Sequence, residues 1–214
     1  MSIGIIGAGA LGSNVARLLA KSGIAATIAN SRGPDSLAGL VEELGPLITP
    51  GTIEQVASAD IVLVALRWVE VEKALGGLPA WNGRIVIDAT NSVAFLDPDS
   101  PDAKDPTNPL AAYGIKAIDL GGKHSSQVFR DFVPGARVVK TFSHLDSSLL
   151  PEPVLSGGHR VLFYSGDDAD AKGEVRQIIE QTGHFPVDLG VLDVGGPLAS
   201  LPFGSLAGVS FIKI

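Results

Sequence analysis

Short apolar runs alternate with stretches whose apolar residues recur every three or four positions, and this rhythm fills most of the 214 residues. Ile3, Ile5 and Ile6 form the first run. Leu11, Val15, Leu18 and Leu19 then share one helical face, with Gly23 placed to stop the helix. Ile24 to Ala29 reads as the next strand. A turn at Gly33-Pro34-Asp35-Ser36 leads into a helix carrying Leu37, Leu40, Val41 and Leu44, with Ser36 as its cap. Thr52 to Ala59 predicts a short helix and Ile61 to Leu66 a strand buried on both faces. Val69 to Leu75 suits a helix, and Arg84 to Asn91 another buried strand ending in polar residues.

The second half keeps the pattern after one break. Asp97 to Pro109 holds four prolines, which forbid a regular helix or a central strand. This segment reads as a loop, either a lid or an exposed connection. Ile115 to Leu120 and Arg137 to Phe142 then read as strands around a helix over Ser125 to Val133. Arg160 to Tyr164, Ala171 to Thr182 and Phe185 to Leu189 make one more strand–helix–strand unit. Val209 to Ile214 alternates, as a strand pairing on a sheet edge or across a dimer would. Strands and helices in alternation with short connections predict an α/β fold with a right-handed, doubly wound, mainly parallel sheet. There is no internal repeat and no linker, so a single domain is expected.

The first strand runs into Gly7-Ala8-Gly9-Ala10-Leu11-Gly12 and then a helix and a second strand, all within about thirty residues. In that context the glycines point to a dinucleotide pyrophosphate. Gly7 allows the tight turn, Gly9 lets the backbone approach the phosphates, and Gly12 lets the helix pack near the strand. The helix N-terminus supplies free N–H groups. A Gly-rich turn that binds nothing is the alternative. The end of the second strand carries Asn30-Ser31-Arg32, with no carboxylate to repel a 2′-phosphate and an arginine to pair with one. This predicts NADP(H) over NAD(H).

Ligands of such sheets bind at the carboxyl ends of the strands, so Ala65, Leu66 and Arg67, with Thr90 and Asn91, are candidates for the nicotinamide half. Asn91 reads equally as a turn-forming helix cap, and Trp68 as a packing residue.

Composition narrows the partners. A net charge of −7 leaves no basic stripe for nucleic acid, and an anionic cofactor must be captured by local donors. The absence of cysteine excludes disulfides, thiolate nucleophiles and Cys-ligated metals, and fits a cytoplasmic location. No apolar run is long enough for a membrane span, and no secretory signal is expected at the N-terminus. His144, His159 and His184 lack metal spacing. Neither His-Glu-x-x-His nor Gly-x-Ser-x-Gly occurs.

Taken in order, Gly4-Ile5-Ile6-Gly7-Ala8-Gly9-Ala10-Leu11-Gly12, Asn30-Ser31-Arg32, Arg137-Val138-Val139-Lys140-Thr141-Phe142, Gly166-Asp167-Asp168 and Gly195-Gly196-Pro197-Leu198 resemble the coenzyme F420-dependent NADP oxidoreductases. Relatives of that family include the oxidoreductase domains of the STEAP metalloreductases. The resemblance implies a Rossmann-type fold, with residues 1–120 as the dinucleotide-binding core and 121–214 as a small C-terminal α/β extension. It also implies a homodimer, and direct hydride transfer between the nicotinamide and a planar small-molecule acceptor such as coenzyme F420 or a flavin. On the matching positions, Gly7, Gly9, Gly12, Ser31 and Arg32 hold NADP(H), and Leu66 and Arg67 approach the nicotinamide. Arg67-Trp68 stands where Pro-Trp is common in the family, and Ser143-His144 where Asn-Thr usually follows.

Hydride transfer to a flat acceptor needs positioning and exclusion of water more than an acid or base. A carbonyl or imine acceptor would need a proton donor, for which His124 after Gly121-Gly122 is the first candidate; the alternative is a plain loop histidine. Lys140 and Phe142 are candidates for the acceptor side, with support of the fold as the other role of Lys140. Three functions stay open: a reductase of planar acceptors, a small imine or carbonyl reductase, and a non-enzymatic NADP(H)-binding redox sensor.

Overall fold

The computed structural model describes residues 1–214. In chain order come β1 (Ile3–Ile6), α1 (Ala10–Lys21), β2 (Ala26–Ala29), α2 (Ala38–Leu44), β3 (Ile48–Pro50), α3 (Ile53–Ala57), β4 (Ile61–Val64), α4 (Trp68–Leu75) and β5 (Ile85–Asp88). There follow β6 (Val93–Phe95), β7 (Ile115–Ala117), α5 (Ser125–Phe132), β8 (Arg137–Lys140), β9 (Val154–Leu155) and β10 (Gly158–Gly166). The chain ends with α6 (Ala169–Gln181), β11 (Phe185–Asp188), α7 (Leu192–Leu198) and β12 (Ile212–Lys213).

The main sheet runs β11-β10-β8-β5-β4-β1-β2-β3, with β9 and β12 paired to β10. From β3 to β8 every pairing is parallel; β10 then runs antiparallel to β8, and β11 lies parallel to β10. This is the expected doubly wound, Rossmann-like α/β sheet. Side chains of a strand point alternately to its two faces, and the aliphatic runs feed both. Ile5, Leu63 and Ile87 pack under α1 and α6, against Val15, Leu19, Val175 and Ile179. Ile6, Val62, Val64 and Val86 pack on the other face against Trp68, Val71 and Phe129. The carboxyl ends of the parallel strands are thereby left free as one edge.

Several elements depart from the sequence reading. The strand expected over 115–120 is three residues long and lies outside the main sheet, in an antiparallel hairpin of β6 with β7. Lys116, exposed and alternating with Ile115 and Ala117, suits a two-stranded ribbon and not a doubly covered strand. The proline-rich loop is the connection of this hairpin, closed at its base where Asn108 Nδ2 donates to the Ile115 carbonyl at 2.9 Å. Ser36 does not cap α2. It lies in a 3-10 turn over Pro34–Leu37, and its hydroxyl donates to the Gly33 carbonyl at 2.7 Å. The C-terminal run pairs on the sheet edge, through Ile212 and Lys213 only. No helix is long and apolar enough to cross a membrane.

Two histidines are enclosed in the second half. Burial pushes His144, with Phe163 5.0 Å from its ring and the Lys140 charge nearby, from an ordinary 6.5 to about 4. Burial does the same to His184, with Arg160 adding to it, again to about 4. Between about pH 6.5 and pH 4 the unfolded chain therefore takes up protons that the folded chain refuses, and stability falls as pH falls. Denaturant unfolding is expected to lose roughly 2 kcal/mol per histidine between about pH 7 and pH 5, above the range where carboxylates titrate. His144→Leu should remove about half of that pH dependence. A wild-type stability flat across this interval would contradict the assignment.

Candidate functional site at the carboxyl edge of the sheet

The turn after β1 is shaped by two different demands. Gly7 sits at φ 109°, and its N–H donates to the Ala29 carbonyl at 2.9 Å. A Cβ at Gly7 would collide with the Ala65 carbonyl, and one at Gly12 with the Gly7 carbonyl. These two glycines answer to the protein's own backbone, because the start of α1, the turn and the exit of β4 lie in direct contact. Gly9 is different: a Cβ there would meet nothing within 4 Å. Gly9 is also the N-cap of α1, with no side-chain cap and no acidic residue in the first turn. The amides of Ala10, Leu11 and Gly12 therefore face an open cradle carrying the positive end of the helix dipole.

At the end of β2, Asn30 folds the chain back on itself. Its Oδ1 accepts the Arg32 amide at 2.9 Å, and its Nδ2 donates to Ser36 Oγ at 2.9 Å. Gly33 at φ 88° completes the turn. Ser31 and Arg32 are left exposed on the same edge as Gly9.

The exits of β4 and β5 make the next part of that edge. Ala65 is drawn in by its N–H bond to the Ile6 carbonyl, at 2.8 Å, so Leu66 stands beside the glycine turn and Arg67 follows it out of the strand. Beyond β5, Thr90 is buried, and its N–H and hydroxyl both donate to Asp88 Oδ1, at 2.9 and 2.7 Å. Asn91 is a crosslink: Nδ2 donates to the Ser143 carbonyl at 2.8 Å, and Oδ1 accepts the Leu201 amide at 2.9 Å. Their backbone and shape border the edge, while their polar side-chain atoms are already engaged.

Two candidates for the acceptor side are placed elsewhere. Lys140 is fully enclosed, with Nζ donating to Asp88 Oδ2 at 3.0 Å and to the Thr90 carbonyl at 2.5 Å. It cannot also reach an acceptor, and its role is to pin the β5 exit. Phe142, at φ 64°, is 1% exposed and packs in the core cluster with Leu145 and Leu150. Both expectations of acceptor contact are corrected on these grounds.

His124 stands at the mouth of α5. Its N–H donates to Gln127 Oε1 at 3.0 Å, and it lines a cleft of about 530 Å³ beyond the β5 exit. Ser92, Ile118, Ser125, Leu201 and Phe203 share that lining. Leu201 and Phe203 carry no local motif in the sequence. They reach the cleft because Asn91 holds the segment after α7 against the β5 exit.

The family model described as NADP oxidoreductase, coenzyme F420-dependent, matches residues 2–92, the stretch from β1 through the β5 exit. Over its whole length the chain is similar to the hypothetical protein SMa0349 from Sinorhizobium meliloti. Identity is 34%, the TM-score is 0.86, and the match covers 100% of this chain and 96% of that one. The chain belongs to the coenzyme F420-dependent NADP oxidoreductase family. A crystal structure from Arthrobacter sp. FB24, described as an F420-dependent NADP-reductase, is 25% identical with a TM-score of 0.68. That match covers 90% of this chain and 86% of the other. The metalloreductase STEAP3 of Rattus norvegicus is 23% identical over 200 residues, which is 94% of this chain. The chain spans about a third of the length of that curated relative, 36%.

For a member of the F420-dependent NADP oxidoreductase family, the contrast among the three glycines makes a sharp expectation. Gly9→Ala should still fold, with a melting temperature within about 5 °C of wild type, since Ala is a poorer N-cap than Gly by about 1 kcal/mol, roughly 2–4 °C in a chain of this length. Its dinucleotide Kd should rise at least about tenfold, as measured by calorimetric titration. Gly7→Ala should fail earlier, at folding. Unchanged affinity in Gly9→Ala would show that the open cradle is not the binding surface.

Proposed function

We propose that this chain is an NADP(H)-dependent oxidoreductase that passes hydride between the nicotinamide and a planar acceptor such as coenzyme F420 or a flavin. The observation that carries the reading is the open cradle at Gly9, the one glycine of the turn that the protein's own packing does not explain, flanked by Gly7 and Gly12, which it does. In this reading the pyrophosphate lies on the amides of Ala8 to Gly12. Ser31 and Arg32 take the 2′-phosphate, through charge-assisted hydrogen bonds from the guanidinium. The backbone of Ala65, Leu66 and Arg67, with that of Thr90 and Asn91, borders the nicotinamide. NADPH, when bound, supplies a hydride at the nicotinamide C4; the chain's own task is to hold the two flat reactants face to face and keep water out.

In this reading the cleft that begins at Ser92, three residues before Phe95, leaves room for the part of an acceptor that extends beyond the nicotinamide. Its lining is mixed: Ile118, Leu201 and Phe203 offer apolar surface, and His124 is placed to give or take a proton where the acceptor requires one. Family membership and the likeness to the Arthrobacter protein support this reading, as do the exposed Arg32 and the absence of an acidic residue between Asn30 and Arg32.

The reading is tested by following NADPH oxidation with F420, FMN, FAD, quinones and small imines in turn. Turnover is expected with F420 or a flavin. Tight NADPH binding without turnover of any of them would leave a nucleotide sensor. In the same assay Arg32→Ala should lower the preference for NADPH over NADH by about tenfold or more, mainly through the Kd for NADPH. A preference that survives this substitution would refute the 2′-phosphate assignment.

A further inference from the structure

The chain has eight arginines. Six have guanidinium groups held by carboxylates or backbone carbonyls. The two that remain, Arg32 and Arg67, make no hydrogen bond or ion pair through the guanidinium, although the chain carries 23 acidic residues. Their positions correspond: each lies three residues beyond the end of a parallel strand, Arg32 after β2 and Arg67 after β4. Both therefore stand at the edge where such sheets bind ligands.

Arg67 is not idle on the surface. Its Cζ lies 5.3 Å from the centroid of the Phe95 ring. Phe95 is the last residue of β6, at the root of the proline-rich connection, and is 61% exposed. The guanidinium lies over the ring with its hydrogen-bond donors unpaired, so an exposed aromatic surface and a planar positive charge sit within 5.3 Å of each other. NADP(H) carries its negative charge on the pyrophosphate and the 2′-phosphate. Under the reading above, the α1 amides and Arg32 take both, so the cofactor has no third anionic group for Arg67.

We infer, building on the NADP(H)-dependent reading, that Arg67 and Phe95 form the acceptor-side clamp of the site and select a planar acceptor that carries negative charge. Phe95 stacks on the ring system. The Arg67 guanidinium pairs with a carboxylate, phosphate or anionic ring oxygen of the same molecule. The specificity this gives is for charged over neutral forms of one ring.

FMN and riboflavin supply the comparison, because they share the isoalloxazine ring and differ by a phosphate. Each is titrated by flavin fluorescence into full-length protein saturated with NADP+, for wild type, Arg67→Ala, Arg67→Lys and Phe95→Ala. Wild type should bind FMN more tightly than riboflavin. Arg67→Ala should raise the FMN Kd about tenfold and leave riboflavin within about twofold, with Arg67→Lys in between. Phe95→Ala should weaken both flavins. The NADPH Kd, measured on the same proteins, is expected to stay within about twofold of wild type. Equal wild-type affinity for the two flavins, or no binding of either, overturns the clamp. So does an Arg67→Ala effect on NADPH as large as that on FMN, which would place the guanidinium on the cofactor. Failure of the wild-type protein to bind NADPH at all is a separate result, and sinks the cofactor reading itself.

Discussion

The carboxyl edge of this sheet depends on one close approach, the contact between the turn after β1, the first turn of α1 and the exit of β4. No side chain fits between them: Gly7 abuts the Ala65 carbonyl and Gly12 abuts the Gly7 carbonyl. The cost is two positions that tolerate nothing larger than glycine. The consequence is that the turn before α1 lies against Leu66, with Arg67 next along the chain. Gly9 and Arg67, the residues proposed to bind the cofactor and to select the acceptor, are thereby positioned by one constraint.

A second constraint fixes the far side of that edge. Asp88 and Lys140 end adjacent parallel strands and are register partners, so their side chains meet in the interior. Burying an ion pair is costly unless its remaining donors and acceptors are satisfied. Here Asp88 accepts from Lys140 and twice from Thr90, while Lys140 also reaches the Thr90 carbonyl. The network defines where β5 ends and how Thr90 and Asn91 leave it. Asn91 then carries that position to Ser143 and Leu201, and so to the wall of the cleft. A lysine in a family-like motif thus shapes the wall of the cleft without lining it.

The central parallel strands were legible because each is a run of aliphatic residues, buried on both faces, bounded by residues that stop a strand. The glycine turn was legible for a related reason, since its spacing and flanking elements are local. What stayed hidden was non-local. β6 and β7 are three residues each and find their partner across a proline-rich connection. α7 contains Gly195, Gly196 and Pro197, which argue against a helix; it forms because both glycines are buried against Leu189 and Ser126, where a Cβ would clash. Phe203 enters the cleft wall only through tertiary placement. Lys140 did carry a signal, a charged residue ending an apolar strand opposite another one, but strand order was needed to pair it with Asp88.

The most direct test of the account is a single-turnover reaction with NADPH stereospecifically deuterated at C4, followed by mass spectrometry of the reduced acceptor. F420 is the informative acceptor, because hydrogen delivered to its ring carbon does not exchange with water. One of the two C4 epimers is expected to transfer its deuterium essentially completely to the reduced deazaflavin. Reduction of F420 with no deuterium from either epimer in the reduced deazaflavin, or tight NADPH binding with no turnover of F420 or any flavin, would contradict the account.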